Sequence, residues 1–211
     1  MKHVDIPNIV YKQNSEIDSS SSWFALSHDK DADYLSNPDA LNNFIKACEK
    51  TIRSNKRYTA YKAYLHEVVG LDKCDVLGEL DTLDCTIEMH HGPILTLYDY
   101  CSIVIDLFLL TNRKVNTFTI AKRVLDDHWE NIIRVVMLST TIHEEVTNRN
   151  IFIDYRQGFG DMPKFIRKYD KVINSYYKNK ILTYIDKSIL MENENTDQDL
   201  LKINKLLLKG E

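Results

Sequence analysis

The chain is poor in residues that break helices. Among 211 residues there are six glycines and four prolines. That scarcity argues against a many-turned β fold and favours long helices. Cysteine is as sparse. Cys48, Cys74, Cys85 and Cys101 contain no C-x-x-C pair, which argues against a cysteine-type structural zinc site. Their spacing outlines no disulfide framework, and they read as reduced thiols of a cytosolic protein. An excess of positive charge is missing too. Lysine and arginine total 27 against 31 aspartates and glutamates, for a net charge of −4. This balance argues against tight non-specific binding to nucleic acid and leaves room for a local patch that touches a few phosphates. No apolar run is long enough for a membrane span. The most apolar stretch, Ile103 to Leu110, is interrupted by Asp106 and falls far short of the roughly 20 residues required. Met1 to Asp5 leads into polar sequence without the apolar core of a signal peptide.

What is present fits one soluble globular domain with appendages. Apolar residues make up 44% and charged residues 27%, enough to bury a core without staples. Residues 1–37 read as an irregular arm. It holds the serine run Ser19 to Ser22 and the aromatic pair Trp23 and Phe24, which would dock on the body. Residues 38–83 form an N-terminal helical region. Asn37-Pro38-Asp39 is a helix start, and Leu41, Phe44, Ile45, Cys48 and Ile52 recur at helical spacing over about 38–54. A second helix is expected over about 57–69, with Tyr58, Tyr61 and Tyr64 as a packing stripe and Gly70 as its end. Residues 71–83 connect, with a short strand or turn around Val76-Leu77-Gly78.

Residues 84–160 carry the polar groups of interest. Thr86-Ile-Glu-Met-His-His-Gly-Pro-Ile94 alternates apolar and polar positions and then breaks, as a half-buried strand ending in two histidines. Leu97 to Leu110 is helical in pattern. The next helix is capped by Thr117 or Thr119 and ends near His128. Asn131 to Leu138 is apolar and strand-like. Ser139 or Thr140 then caps a helix carrying His143, and Ile151 to Asp154 reads as a short strand. Residues 161–190 read as a long basic helix or helix pair. Residues 191–211 combine an acidic linker with an amphipathic segment, Leu200 to Leu208.

The order strand, strand, helix, with His90-His91, Asn131 and His143 at its corners, resembles the ββα-metal motif of HNH (His-Me finger) endonucleases. The likeness is to members from bacterial viruses. It rests on Glu88-Met-His-His91, Thr96-Leu-Tyr-Asp99, Leu138-Ser-Thr-Thr-Ile-His143 and Phe159-Gly-Asp161, over about residues 58–175. The resemblance implies an α+β fold, mostly helical, with a small ββα core, a helical insertion and flanking helices. It implies a divalent-metal-dependent nucleic-acid endonuclease, with DNA as the expected substrate and RNA left open. His91 would take the proton of the attacking water and Asn131 would orient it, while His90 and His143 would hold one divalent ion (Mg, Mn, Ni or Zn). Arg134, Arg149, Arg156, Lys164, Arg167, Lys168 and Lys171 would contact phosphates.

Two features depart from the motif. About 40 positions separate His91 from Asn131, and Thr147 stands one helical turn after His143, where many HNH proteins have a second histidine. Glu88 and Glu144 are the further candidate ligands. The alternative is a catalytically silent HNH-like subunit that binds DNA or assembles with other viral proteins in the host cytoplasm. Two other readings stand beside it: a helical interaction protein that acts through its C-terminal segment, and a metal-dependent hydrolase with another substrate.

Overall fold

The computed structural model describes residues 29–190, Glu79 excepted. Ser19 to Ser22, Trp23, Phe24, the acidic linker and Leu200 to Leu208 lie outside these residues. The first helix, α1 (Ala32–Leu35), is a single capped turn within the expected arm. α2 (Pro38–Arg53) begins where the sequence places it. The Asn37 side chain accepts from the Asp39 and Ala40 amides at 3.0 and 3.1 Å, and Pro38 occupies the first turn. Asn37→Ala is expected to cost about 1 kcal/mol, read as a fall of about 3 °C in the melting temperature.

α3 (Lys56–Glu67) follows directly, capped by Asn55. Its Tyr58, Tyr61 and Leu65 point inward, so the tyrosine stripe is core. The excursion to residue 86 turns at 75–78, with a single bridge between Lys73 and Asp81. β1 (Ile87–His91) follows, then α4 (Leu97–Leu110), which a Thr96–Asp99 capping box opens. α5 (Thr117–Trp129) is capped by Asn116, not by Thr117 or Thr119. Asn116 accepts from both the Phe118 and Thr119 amides, and Thr119 answers by accepting from the Asn116 amide. β2 (Val135–Ser139) pairs antiparallel with β1, placing His90 opposite Val136 and His91 opposite Val135. α6 (Thr140–Thr147) starts at once and packs on both strands.

One expected element differs. Residues 151–154 are not a strand. Ile153 buries its side chain with Val136 and Leu138, Tyr184 donates to its carbonyl at 2.5 Å, and Asp154 caps the 3-10 turn Tyr155–Gln157. The third chain beside the sheet is Phe159, which exchanges two backbone hydrogen bonds with Val135 at 2.8 and 2.9 Å. Of the two forms expected for residues 161–190, one long basic helix or a pair, the structure has the pair, α7 (Met162–Tyr169) and α8 (Ser175–Leu190). The Val172 and Ile173 amides both turn back to the Tyr169 carbonyl, and Asn174 accepts from the Tyr177 amide. The periodicity of Val172 and Ile173 survives the break because both still face the core cluster.

The core is helical. α2 lies across α5 and α4, joined by Ile45, Cys48, Ile52, Ile103, Ile120 and Val124, all buried. Each such aliphatic side chain contributes about 2 kcal/mol by leaving water. The two-stranded sheet sits at one edge, with Ile87, Met89 and His91 facing the core and Glu88 and His90 half-buried on the other face. The whole is α+β and mostly helical.

Candidate functional site

The alternation of β1 separates the two adjacent histidines onto opposite faces of the strand. On the outer face, α6 brings His143 against the sheet. Its ring centroid lies 4.8 Å from that of His90, edge to face, and its Nδ1 lies 2.5 Å from Glu88 Oε2. Glu88 and His90 share this face because they are two residues apart on a strand. Burial, reinforced by His143 and by the Arg53 guanidinium, pushes the His90 imidazole down to about 4. Among the described residues, no three His, Cys, Asp or Glu side chains are arranged to hold a metal ion.

The inner face is different. His91 is only 5% exposed and stacks on Tyr58. Its Nε2 lies 3.0 Å from Nε2 of His128 on α5, which is fully buried. The proton positions follow from the partners. His128 Nδ1 lies 2.7 Å from the Val124 carbonyl, which only accepts, so this nitrogen carries the proton. Neutral His128 therefore accepts at Nε2, and His91 donates from its own. Burial holds both rings in the neutral form: His91 is shifted well down and His128 falls to about 4. Tyr58 and Tyr61 contact His128 edge to face, at 5.7 and 5.2 Å.

Asn131 joins this inner network. It has φ 53°, a left-handed turn conformation that asparagine tolerates, directly after α5. Its Oδ1 accepts from the Tyr61 hydroxyl at 3.3 Å, and its carbonyl accepts from the Asp161 amide at 2.8 Å. The fold thus brings His91 and Asn131 into one buried cluster with His128, and His90 and His143 into another with Glu88. It does not merge the two.

The cations divide in the same way. Arg134 is buried on the Tyr155 ring and donates to the carbonyls of Tyr155 and Gly160. Arg156 is held by Asp154 at 2.7 Å, and Lys168 by Asp127 and Glu130 at 2.8 and 2.7 Å. Asp127 is itself buried. Burial raises its carboxyl, although Lys168 and the Tyr169 hydroxyl pull it down. Arg149, Lys164, Arg167 and Lys171 are exposed, as are Glu144 and Thr147. The Thr147 hydroxyl donates to the His143 carbonyl at 2.8 Å.

The family model for bacteriophage G278-like virion proteins matches residues 2–210. The chain belongs to that family. It is a bacteriophage protein. Comparison with curated proteins and with solved structures gave no match. No helix among the described residues of this phage protein is long and apolar enough to cross a membrane. His128 and Tyr61, which hold His91 and Asn131, escaped the reading of the sequence as site residues. The signal was there for His128. It stands four and eight positions after Val124 and Ile120, on the apolar stripe of α5, so its ring had to face the core and needed a polar partner.

Proposed function

We propose that this phage protein is a structural, non-catalytic component of the virion that assembles with other viral proteins after synthesis in the host cytoplasm. Membership of a virion-protein family supports the particle. One observation carries the non-catalytic part: His91, the residue suited by the HNH resemblance to act as base, donates its Nε2 proton to His128 inside the core. With Nε2–H committed to His128, the nitrogen left to act as base is Nδ1, and a ring only 5% exposed in the core gives an attacking water no open approach to it. In this reading the His91–His128–Tyr61–Asn131 network ties β1, α5 and α3 together, and Arg134 and Lys168 act as internal struts.

A nuclease reading keeps one observation in its favour. β1, β2 and α6 bring Glu88, His90 and His143 together on the half-buried outer face, in the strand–strand–helix order of the ββα-metal motif. Yet Glu88 already faces His143 Nδ1, which leaves His90 and His143 Nε2 as the nitrogens open to a cation, and no group of three ligands is placed around one point among the described residues.

One pair of measurements tests both. Quantitative mass spectrometry of salt-washed phage particles is expected to find the protein in fixed copy number. Supercoiled plasmid incubated with the purified protein and Mg²⁺, Mn²⁺, Ni²⁺ or Zn²⁺ is expected to stay intact. Metal-dependent nicking that disappears in His90→Ala and His143→Ala would overturn the structural reading and make the outer face a nuclease centre. Absence of the protein from particles would overturn the virion role.

A further inference from the structure

α8 has two unlike faces. Tyr177, Ile181, Ile185 and Ser188 are buried, whereas Tyr176, on the opposite side, is 63% exposed and Leu190, at the end, is 83% exposed. Between these apolar ends runs an open groove of about 460 Å³, lined by Phe152, Tyr176, Lys180, Thr183, Tyr184 and Lys187. Its floor is a built aromatic surface. Phe152 stacks on Tyr184 at 4.7 Å, Lys187 Nζ sits 4.2 Å from the Phe152 ring centre, and the Tyr184 hydroxyl is tied to the Ile153 carbonyl. Its cations are Lys187 and Lys180, the latter also paired with Asp99 at 2.6 Å. Asp186 is the acidic neighbour on the same helix.

The chain that continues from Leu190 complements this groove. Residues 191–199 carry Glu192, Glu194, Asp197 and Asp199 and no lysine or arginine. Residues 200–208 then supply Leu200, Leu201, Ile203, Leu206, Leu207 and Leu208. Length permits a return. From Lys187 back to Tyr176 along a helix is roughly 17 Å, and the acidic stretch spans at most about 30 Å when extended. The acidic residues would emerge beside Lys187, and the leucines would meet the aromatic floor.

We infer that residues 200–208 fold back within the same molecule and occupy the groove on α8, with residues 192–199 as the returning turn beside Lys187. Burying the leucines against Tyr176, Phe152 and Tyr184 supplies the driving force.

Hydrogen exchange on the full-length protein tests this, comparing wild type with Ile203→Asp/Leu206→Asp/Leu207→Asp. The substitutions lie outside the body, and unchanged exchange in α2 confirms that the body stays folded. Amides of residues 176–187 are expected to exchange about tenfold faster in the triple variant, at every protein concentration. Tyr176→Asp, which alters only the groove, is expected to speed tryptic cleavage after Lys202 and Lys205 by a similar factor. Equal exchange in wild type and triple variant would overturn the inference. Protection that fades on dilution would overturn it too, by assigning the groove to the tail of a second copy.

Discussion

Replacing Gly160 by alanine is expected to cost on the order of 4 kcal/mol and to lower the melting temperature by about 10 °C. Gly160 has φ 118°, where L side chains are strained. Space compounds the strain. A Cβ there would lie 2.4 Å from the Ile133 carbonyl oxygen and 3.1 Å from the Arg134 Cα. Both are backbone atoms of the segment leading into β2, so neither can swing aside. The contact is close because residues 159–161 are laced to that segment on both sides. Phe159 pairs with Val135, Asp161 donates to the Asn131 carbonyl, and Arg134 donates to the Gly160 carbonyl at 2.8 Å. Moving the chain outward would break these bonds and uncover buried polar groups. Gly78→Ala separates the two causes. Gly78 also has positive φ, 67°, but nothing lies within 4 Å of its Cβ position, and the expected cost is about 1 kcal/mol. Urea unfolding of both variants decides it: equal losses would mean that crowding at Gly160 plays no part.

Acidification from pH 7.5 to pH 4.5 is expected to remove about 3 kcal/mol or more of stability, well before the surface carboxylates protonate. His128 is held near 4 in the folded protein and returns to about 6.5 on unfolding. Because its folded value is depressed, the unfolded chain binds the proton first. The stabilisation is complete above pH 6.5 and is lost as pH falls toward 4, about 2.5 kcal/mol by pH 4.5. His91 is shifted the same way and adds to the loss. The two cannot both be charged 3.0 Å apart in a buried cluster. Asp106 works in the opposite direction. Burial raises its carboxyl to about 6, so the folded state takes up that proton and gains as pH falls. The side chain keeps contact with water, so the gain is discounted to about 1 kcal/mol. Asp106→Asn removes this offset. The variant is expected to be about 1 kcal/mol more stable than wild type at pH 7.5 and to lose that advantage by pH 4.5. Melting curves across the range check both statements, and a flat stability profile for wild type would refute the buried histidine pair as its acid-sensitive element.

Much of the local structure was legible in the residues. Asn37-Pro38 and Thr96 start helices through caps that act within three or four positions, and α4 runs over the expected span. The alternation of Ile87, Met89 and His91 with Glu88 and His90 shows which side chains share a face of β1. What failed needed distant partners. Ile151 to Asp154 has strand composition, but Phe159 takes the place beside Val135 and the Ile153 carbonyl goes to Tyr184. The apolar stripe through Val172 and Ile173 left one long helix and a helix pair both open, because both residues stay on the core side across the turn between α7 and α8.

The candidate site divides along the same line. By itself the sequence determined that His90 and His91 point to opposite faces, that β1, β2 and α6 follow one another in that order, and that the chain belongs to a bacteriophage virion-protein family. Each of these follows from short-range geometry or from the order of residues. Only the tertiary structure decided which histidine faces the core. β1 packs on α3 and α5, so His91 meets His128 and donates its Nε2–H there, while His90 and Glu88 are left beside His143 on the outer face. Pairing across 37 positions depends on how helices pack, and no local pattern of residues encodes that angle.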